Sequence, residues 1–86
     1  MQTLIPTIGR VVNAVIRNAH GELVTRPAIV VRPWGSTPNA ALNAQVFCDG
    51  DGSKANDGLP NVVWKTSLTH DPSGQAESSW HWPARD

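Results

Sequence analysis

One cysteine, one methionine, one phenylalanine and no tyrosine leave this chain of 86 residues short of several side chains on which small domains commonly lean. A single cysteine cannot close an internal disulfide, so a disulfide-stapled secreted scaffold is excluded. Cys48, at the end of the strand-like Gln45-Val46-Phe47-Cys48, reads as a packed reduced thiol. Charge of one sign is missing too: Lys and Arg number 7 and Asp and Glu number 7, which leaves no surplus for gripping a nucleic-acid backbone or an anionic membrane and rules out an acidic DNA mimic. No apolar run approaches the roughly 20 residues of a spanning helix, and residues 1–10 have no basic start, long apolar stretch or small-residue cleavage pattern. The expected compartment is the cytoplasm. Hydrophobic residues at 40% and charged residues at 16% describe a chain that folds. At this size, without disulfides, it forms one domain with a modest core and gains from a partner subunit, so a homo-oligomer is expected.

Catalytic signatures are scarce as well. No glycine-rich loop opens a helix, so there is no dinucleotide or phosphate-loop site. His20, His70 and His81 stand far apart with no second ligand at zinc spacing. Asp49-Gly50-Asp51-Gly52-Ser53 places oxygens at alternate positions like a calcium loop, but Lys54 stands where glycine is needed and Pro60 where a bidentate glutamate is needed. Ser67, His70 and Asp71 have the residue types of a hydrolytic triad, yet lie too close in sequence to surround one carbonyl; turn chemistry explains them more simply. Neither an enzyme nor a bound metal or cofactor is expected.

What is present is β-sequence. Strands are predicted over residues 10–17, 28–32, 42–48, 62–68 and 78–82, separated by Asn18-Ala19-His20-Gly21, a loop over 35–41, a glycine- and aspartate-rich connection over 49–60, and His70-Asp71-Pro72-Ser73-Gly74. Pro27 and Pro33 are expected to bound the second strand. Alternation in the third puts Leu42, Ala44, Val46 and Cys48 on one face and Gln45 and Phe47 on the other; in the fourth it puts Trp64 and Leu68 opposite Lys65 and Ser67, with Trp64 buried. The predicted fold is all-β: a small SH3-like barrel or twisted antiparallel sheet of about five strands, as one domain.

Four tryptophans are the other abundant feature, two of them bracketing a histidine in Ser79-Trp80-His81-Trp82-Pro83. Aromatic faces recur beside planar or amide donors: Arg32 near Trp34, Phe47 ahead of the loop that holds Asn56 and Asp57, and Trp80 and Trp82 ahead of Arg85. Such a set suits a phosphorylated nucleobase, which stacks on a ring, offers a polar edge to an amide and phosphate oxygens to the arginine fork. Trp80 and Trp82 fall on one face of their strand, either as a plug for a small barrel or as a ligand surface; Phe47 is open in the same way between core and ligand face.

Thr7-Ile8-Gly9-Arg10-Val11-Val12, Pro27-Ala28-Ile29-Val30-Val31-Arg32-Pro33-Trp34-Gly35, Gln45-Val46-Phe47-Cys48-Asp49-Gly50, Val63-Trp64-Lys65-Thr66-Ser67 and Trp80-His81-Trp82-Pro83 together resemble a group of small tailed-phage proteins, the Thoeris anti-defence sponges, which sequester nucleotide signals of bacterial immunity. The resemblance implies a compact oligomeric β-core in the infected host's cytoplasm. Its pockets, at subunit boundaries, would bind cyclic ADP-ribose-type signals, and in some members cyclic oligonucleotides, without cleaving them. It further implies Phe47 as the ring that stacks on the base, Asn56 as a polar contact and Arg85 as the group that meets phosphate or ribose. Between Ile16 and Arg26 this chain has only a short turn where longer relatives carry helical residues, and the connection over 51–60 is longer than in the family pattern. The rival readings are an SH3-like interaction module or minor virion component, in which exposed tryptophans dock an extended partner, and an enzyme that degrades the same signals.

Overall fold

The computed structural model describes residues 4–50 and 57–83. Five strands form, β1 (Val11–Arg17), β2 (Leu23–Pro33), β3 (Leu42–Phe47), β4 (Val62–His70) and β5 (Ser79–His81). They close a barrel in the order β1-β2-β3-β4-β5, antiparallel throughout except for the parallel β4–β5 contact. The architecture is therefore the all-β, SH3-like barrel expected, and no helix occurs among the described residues. The closing seam is short: β5 meets β1 at Ser79, Trp80 and His81 and β4 only at Ser79 and Trp80.

The interior explains the sequence alternation. Val12, Ala14 and Ile16 point inward from β1, Ala28 and Val30 from β2, and Leu42, Ala44 and Val46 from β3, all essentially without exposure. A five-stranded barrel is narrow, and the alanines at 14, 28 and 44 leave room for one large ring. Trp80 fills it: the side chain is fully buried opposite Ala14, and its indole N–H donates to the Ala40 carbonyl at 2.9 Å. Trp82 packs edge-on against Trp80 at 5.5 Å between centroids, and His70 lies at 4.5 Å from it. Of the two readings open for this tryptophan pair, the plug is realised by Trp80, while Trp82 is only partly buried beside it.

Two sequence expectations are corrected. Pro27 lies inside β2, which begins at Leu23. The ring is tolerated because the β1–β2 ladder leaves the Asn13–Pro27 pair unbonded, while the β2–β3 ladder ends at Ala28, so the missing N–H deprives no partner. In β4, Trp64 faces outward with 47% of its surface exposed, while Leu68 is in the core. The cause is a bulge: Leu42 pairs with Leu68 but Ala44 with Lys65, so Thr66 and Ser67 together oppose Asn43 and the strand changes face between Trp64 and Leu68. Ser67 takes the left-handed φ of 56° that the bulge imposes.

The barrel end below β3 is closed by charge. Arg26 of β2 donates through Nε and Nη2 to the two Asp57 oxygens at 2.7 Å each, with 27% of the Arg26 side chain exposed and 3% of Asp57. The Asp49 N–H adds 2.8 Å to the same carboxylate, and the Asp57 carbonyl takes the Ala19 N–H at 2.9 Å. Leu59 packs on the core behind it. The Arg26 fork, assisted by the Asp49 amide, holds the Asp57 carboxyl down at about 2, below its ordinary 3.8. A carboxylate whose folded value is depressed stabilises fully above its unfolded value and loses that contribution as pH falls through the folded one.

Two outcomes follow for equilibrium denaturation. Trp80→Ala should lose about 3–5 kcal/mol and leave the chain largely unfolded at 25 °C. Asp57→Asn should cost about 2 kcal/mol at pH 7, below the ~3–5 kcal/mol of a fully sealed pair because Arg26 is partly solvated. The difference from wild type should be constant above pH ~4 and shrink toward pH 2, as Asp57 takes up its proton. A difference that persists unchanged at pH 2 would remove the ion pair from this role.

Candidate functional site: an aromatic strip on the outer sheet face

Residues directly opposite one another in a sheet share a face, so the register itself assembles a surface. Val11 pairs with Ile29, Ile29 with Gln45, and Gln45 with Trp64, which makes one outward row across β1 to β4. The neighbouring outward pair is Phe47 and Val62. Val11, Ile29, Phe47, Val62 and Trp64 each keep between 38% and 52% of their surface exposed. With about 5 Å between paired side chains, the row spans roughly 15 Å, and with Phe47 and Val62 it makes an apolar strip that Gln45 interrupts.

Its upper end is built around Asn43. Val31 is an extra residue in β2, between the Val30–Ala44 and Arg32–Asn43 pairs, so Asn43 of the middle strand faces an irregularity on both sides. Its side-chain oxygen accepts the Ser67 N–H and the Trp34 indole N–H, each at 3.0 Å, and is thereby buried under the indole. Arg32 lies over the Trp34 ring at 4.6 Å from its centroid, a contact worth about 0.5–1 kcal/mol at an exposed site. Trp34, 53% exposed, thus has its edge fixed and one face covered. A planar ligand there must take the other face or displace the guanidinium.

The sequence-predicted residues separate accordingly. Phe47 is on the outer face, as its alternation implied. Arg32 and Trp34 are brought together, but Asn43 beneath them and Phe47 are four positions apart on β3, about 13 Å along the strand, so they do not share a pocket with it. Trp80 leaves the ligand set, since both ring faces are sealed in the barrel; Trp82 is half-buried against it. Asn56 and Arg85 lie outside the described residues. Trp64 and Asn43 belong to the surface and were not foreseen as part of it. Asn43, a polar residue between Leu42 and Ala44 in a strand, was the available sign of a buried acceptor; nothing local marks the bulge that turns Trp64 outward.

The chemistry these groups offer is stacking and hydrogen bonding. Burial pushes the Cys48 thiol up, away from a reactive thiolate, as it packs partly against the core. The Asp71 carboxylate accepts from the Ser73 hydroxyl and from the Ser73, Gln75 and Ala76 amides, which lower it to about 2 and make it the brace of the β4–β5 connection. Among the described residues no group of three or more His, Cys, Asp or Glu side chains is placed to hold a metal ion, and no helix is long and apolar enough to cross a membrane. The fold and surface define a small closed β-barrel with half-exposed aromatics on its outer wall. In comparisons with protein-family models, curated proteins and solved structures, nothing matches this chain.

Truncation should tell the two kinds of tryptophan neighbour apart. Trp64→Ala should cost about 1 kcal/mol or less and keep the far-ultraviolet dichroism of wild type, since the ring is half solvated. Asn43→Ala should cost about 1–3 kcal/mol by leaving the Ser67 and Trp34 donors without their acceptor. If urea melts rank the two variants in the opposite order, the bulge bridge is not the stronger element.

Proposed function

We propose that the protein is a non-catalytic sponge that binds and sequesters a cyclic nucleotide or cyclic ADP-ribose-type immune signal, serving phage immune evasion in the cytoplasm of the infected bacterium. The observation that carries the reading is Phe47. Its ring stands half exposed at the end of β3, beside Val62 and ahead of a connection whose far end is anchored by Asp57. A rigid strand holding a solvent-facing ring beside a loop that can bring polar groups is what base stacking requires. The family resemblance names the same residue for this task, with Asn56 and Arg85 as its polar partners. In this reading copies of the chain assemble so that pockets fall at subunit boundaries. Capture by mass action needs no reacting group, only abundance and a dissociation constant below about 1 μM, or −8 kcal/mol.

A second reading, an SH3-like interaction module or minor virion component, draws on a different observation: the strip continues from Phe47 through Trp64 and Ile29 to Val11, farther than one nucleotide covers. It predicts binding of an extended peptide lost in Trp64→Ala, with no nucleotide heat.

Titration calorimetry with cyclic ADP-ribose isomers and cyclic oligonucleotides separates the two. One member of the panel should bind with sub-micromolar affinity, and Phe47→Ala should weaken it by about 10-fold or more, the ~1–3 kcal/mol of one stacked base. Ligand released by heating the complex should be recovered chemically intact; altered ligand would make the protein an enzyme. Silence across the panel would overturn the sponge reading.

A further inference from the structure

Among the described residues, the register that closes the barrel leaves the outer edge of β4 at Val62–Trp64 without a strand beside it. β3 accompanies β4 from Val62 to Leu68 on one side, whereas β5 reaches the other side only at Thr69 and His70. The phase of the β3–β4 ladder follows from the Cys48 N–H, which donates to the Asn61 carbonyl at 2.8 Å. Bonded and non-bonded pairs alternate in an antiparallel ladder, so Val46–Val63 and Ala44–Lys65 are bonded pairs and the backbone N–H and C=O groups of Val62 and Trp64 point away from β3. Among the described residues no strand pairs with them there.

We propose that this edge pairs with the same edge of a second copy, antiparallel about a two-fold axis at Val63. The edge is self-complementary. With the axis there, the free groups of Val62 meet those of Trp64 in the other copy and the reverse, so the outward-pointing amides and carbonyls are satisfied by one operation. The usual guards against edge pairing stop short of it: Pro60 lies before the segment, and Lys65 and the Ser67 bulge lie after it, but Val62-Val63-Trp64 holds neither charge nor proline. Both outward side chains, Val62 and Trp64, are apolar and half exposed, and a net charge of +0 sets up no overall repulsion between copies. The join extends the Val11–Ile29–Gln45–Trp64 row across the axis and sets each Trp64 beside the other copy's Val62, one strand from Phe47. This names the contact for the oligomer invoked in the sponge reading, but its readouts need no nucleotide.

Light scattering on wild type, Val62→Pro and Trp64→Glu tests it, together with residue-resolved amide exchange on wild type. The Val62 N–H is not used by β3, so proline there removes an edge donor without breaking the ladder. Wild type should be a dimer or a multiple of one. Each variant should show half the wild-type mass at the same concentration with unchanged far-ultraviolet dichroism, and the Val62 and Trp64 amides of wild type should gain protection as concentration rises. A monomeric wild type overturns the pairing, as does protection of those amides that is independent of concentration, which would mean the chain covers its own edge. Rapid exchange at Val62 and Trp64 in a genuine oligomer overturns it too, because the copies then meet elsewhere. A retained dimer that binds no nucleotide supports the pairing and removes the sponge reading.

Discussion

Everything in this molecule is arranged around the burial of one indole. Trp80 occupies the centre of a five-stranded barrel whose other inward residues are aliphatic, with Ala14, Ala28 and Ala44 providing the clearance. Its N–H bond to Ala40 costs the interior no unsatisfied donor and ties the 35–41 loop to the core. A barrel of this size has no space for a second such ring. Trp82 packs partly buried against Trp80, and Phe47, Trp34 and Trp64 are on the wall.

The wall takes its character from Asn43. Each neighbour of β3 is irregular opposite this residue, and one carboxamide oxygen serves both the backbone of β4 and the indole of Trp34. The bulges add local twist, and they also decide which side chains face out. Val31 and Arg32 are both exposed on β2, which sets the guanidinium over Trp34, while β4 changes face so that Trp64 joins the strip and Leu68 the core. At the opposite end, Arg26 and Asp57 provide an ionic closure in place of an apolar one. The protein thus combines an apolar interior built on aliphatic residues and Trp80 with polar devices at both ends and half-exposed apolar residues on the wall between them. Such an exterior is costly to leave in water and suits contact with a flat ring or another protein surface.

Among the described residues, burial pushes the Cys48 thiol up, Asp57 is engaged with Arg26 and Asp71 with its own loop. Half-exposed aromatics on rigid strands lie beside a β4 edge that no other described strand pairs.

Alternation along the chain located five strands and put Phe47 on the face opposite Leu42, Ala44 and Val46, because β3 runs without interruption and a period of two assigns each side chain to a face, but it left open whether that face is core or surface. The all-β class followed from the same pattern. It could not place Trp64, since a single extra residue in β4 reverses the parity and Ser67 carries no local mark of doing so. Nor could it extend β2 through Pro27, whose tolerance depends on where two neighbouring ladders bond and end. The fate of the two terminal tryptophans was undecided in the sequence for the same reason. Side-chain period is a property of one strand, whereas inside and outside, open edge and closed seam are properties of how several strands meet, and those were settled only when the barrel closed around Trp80.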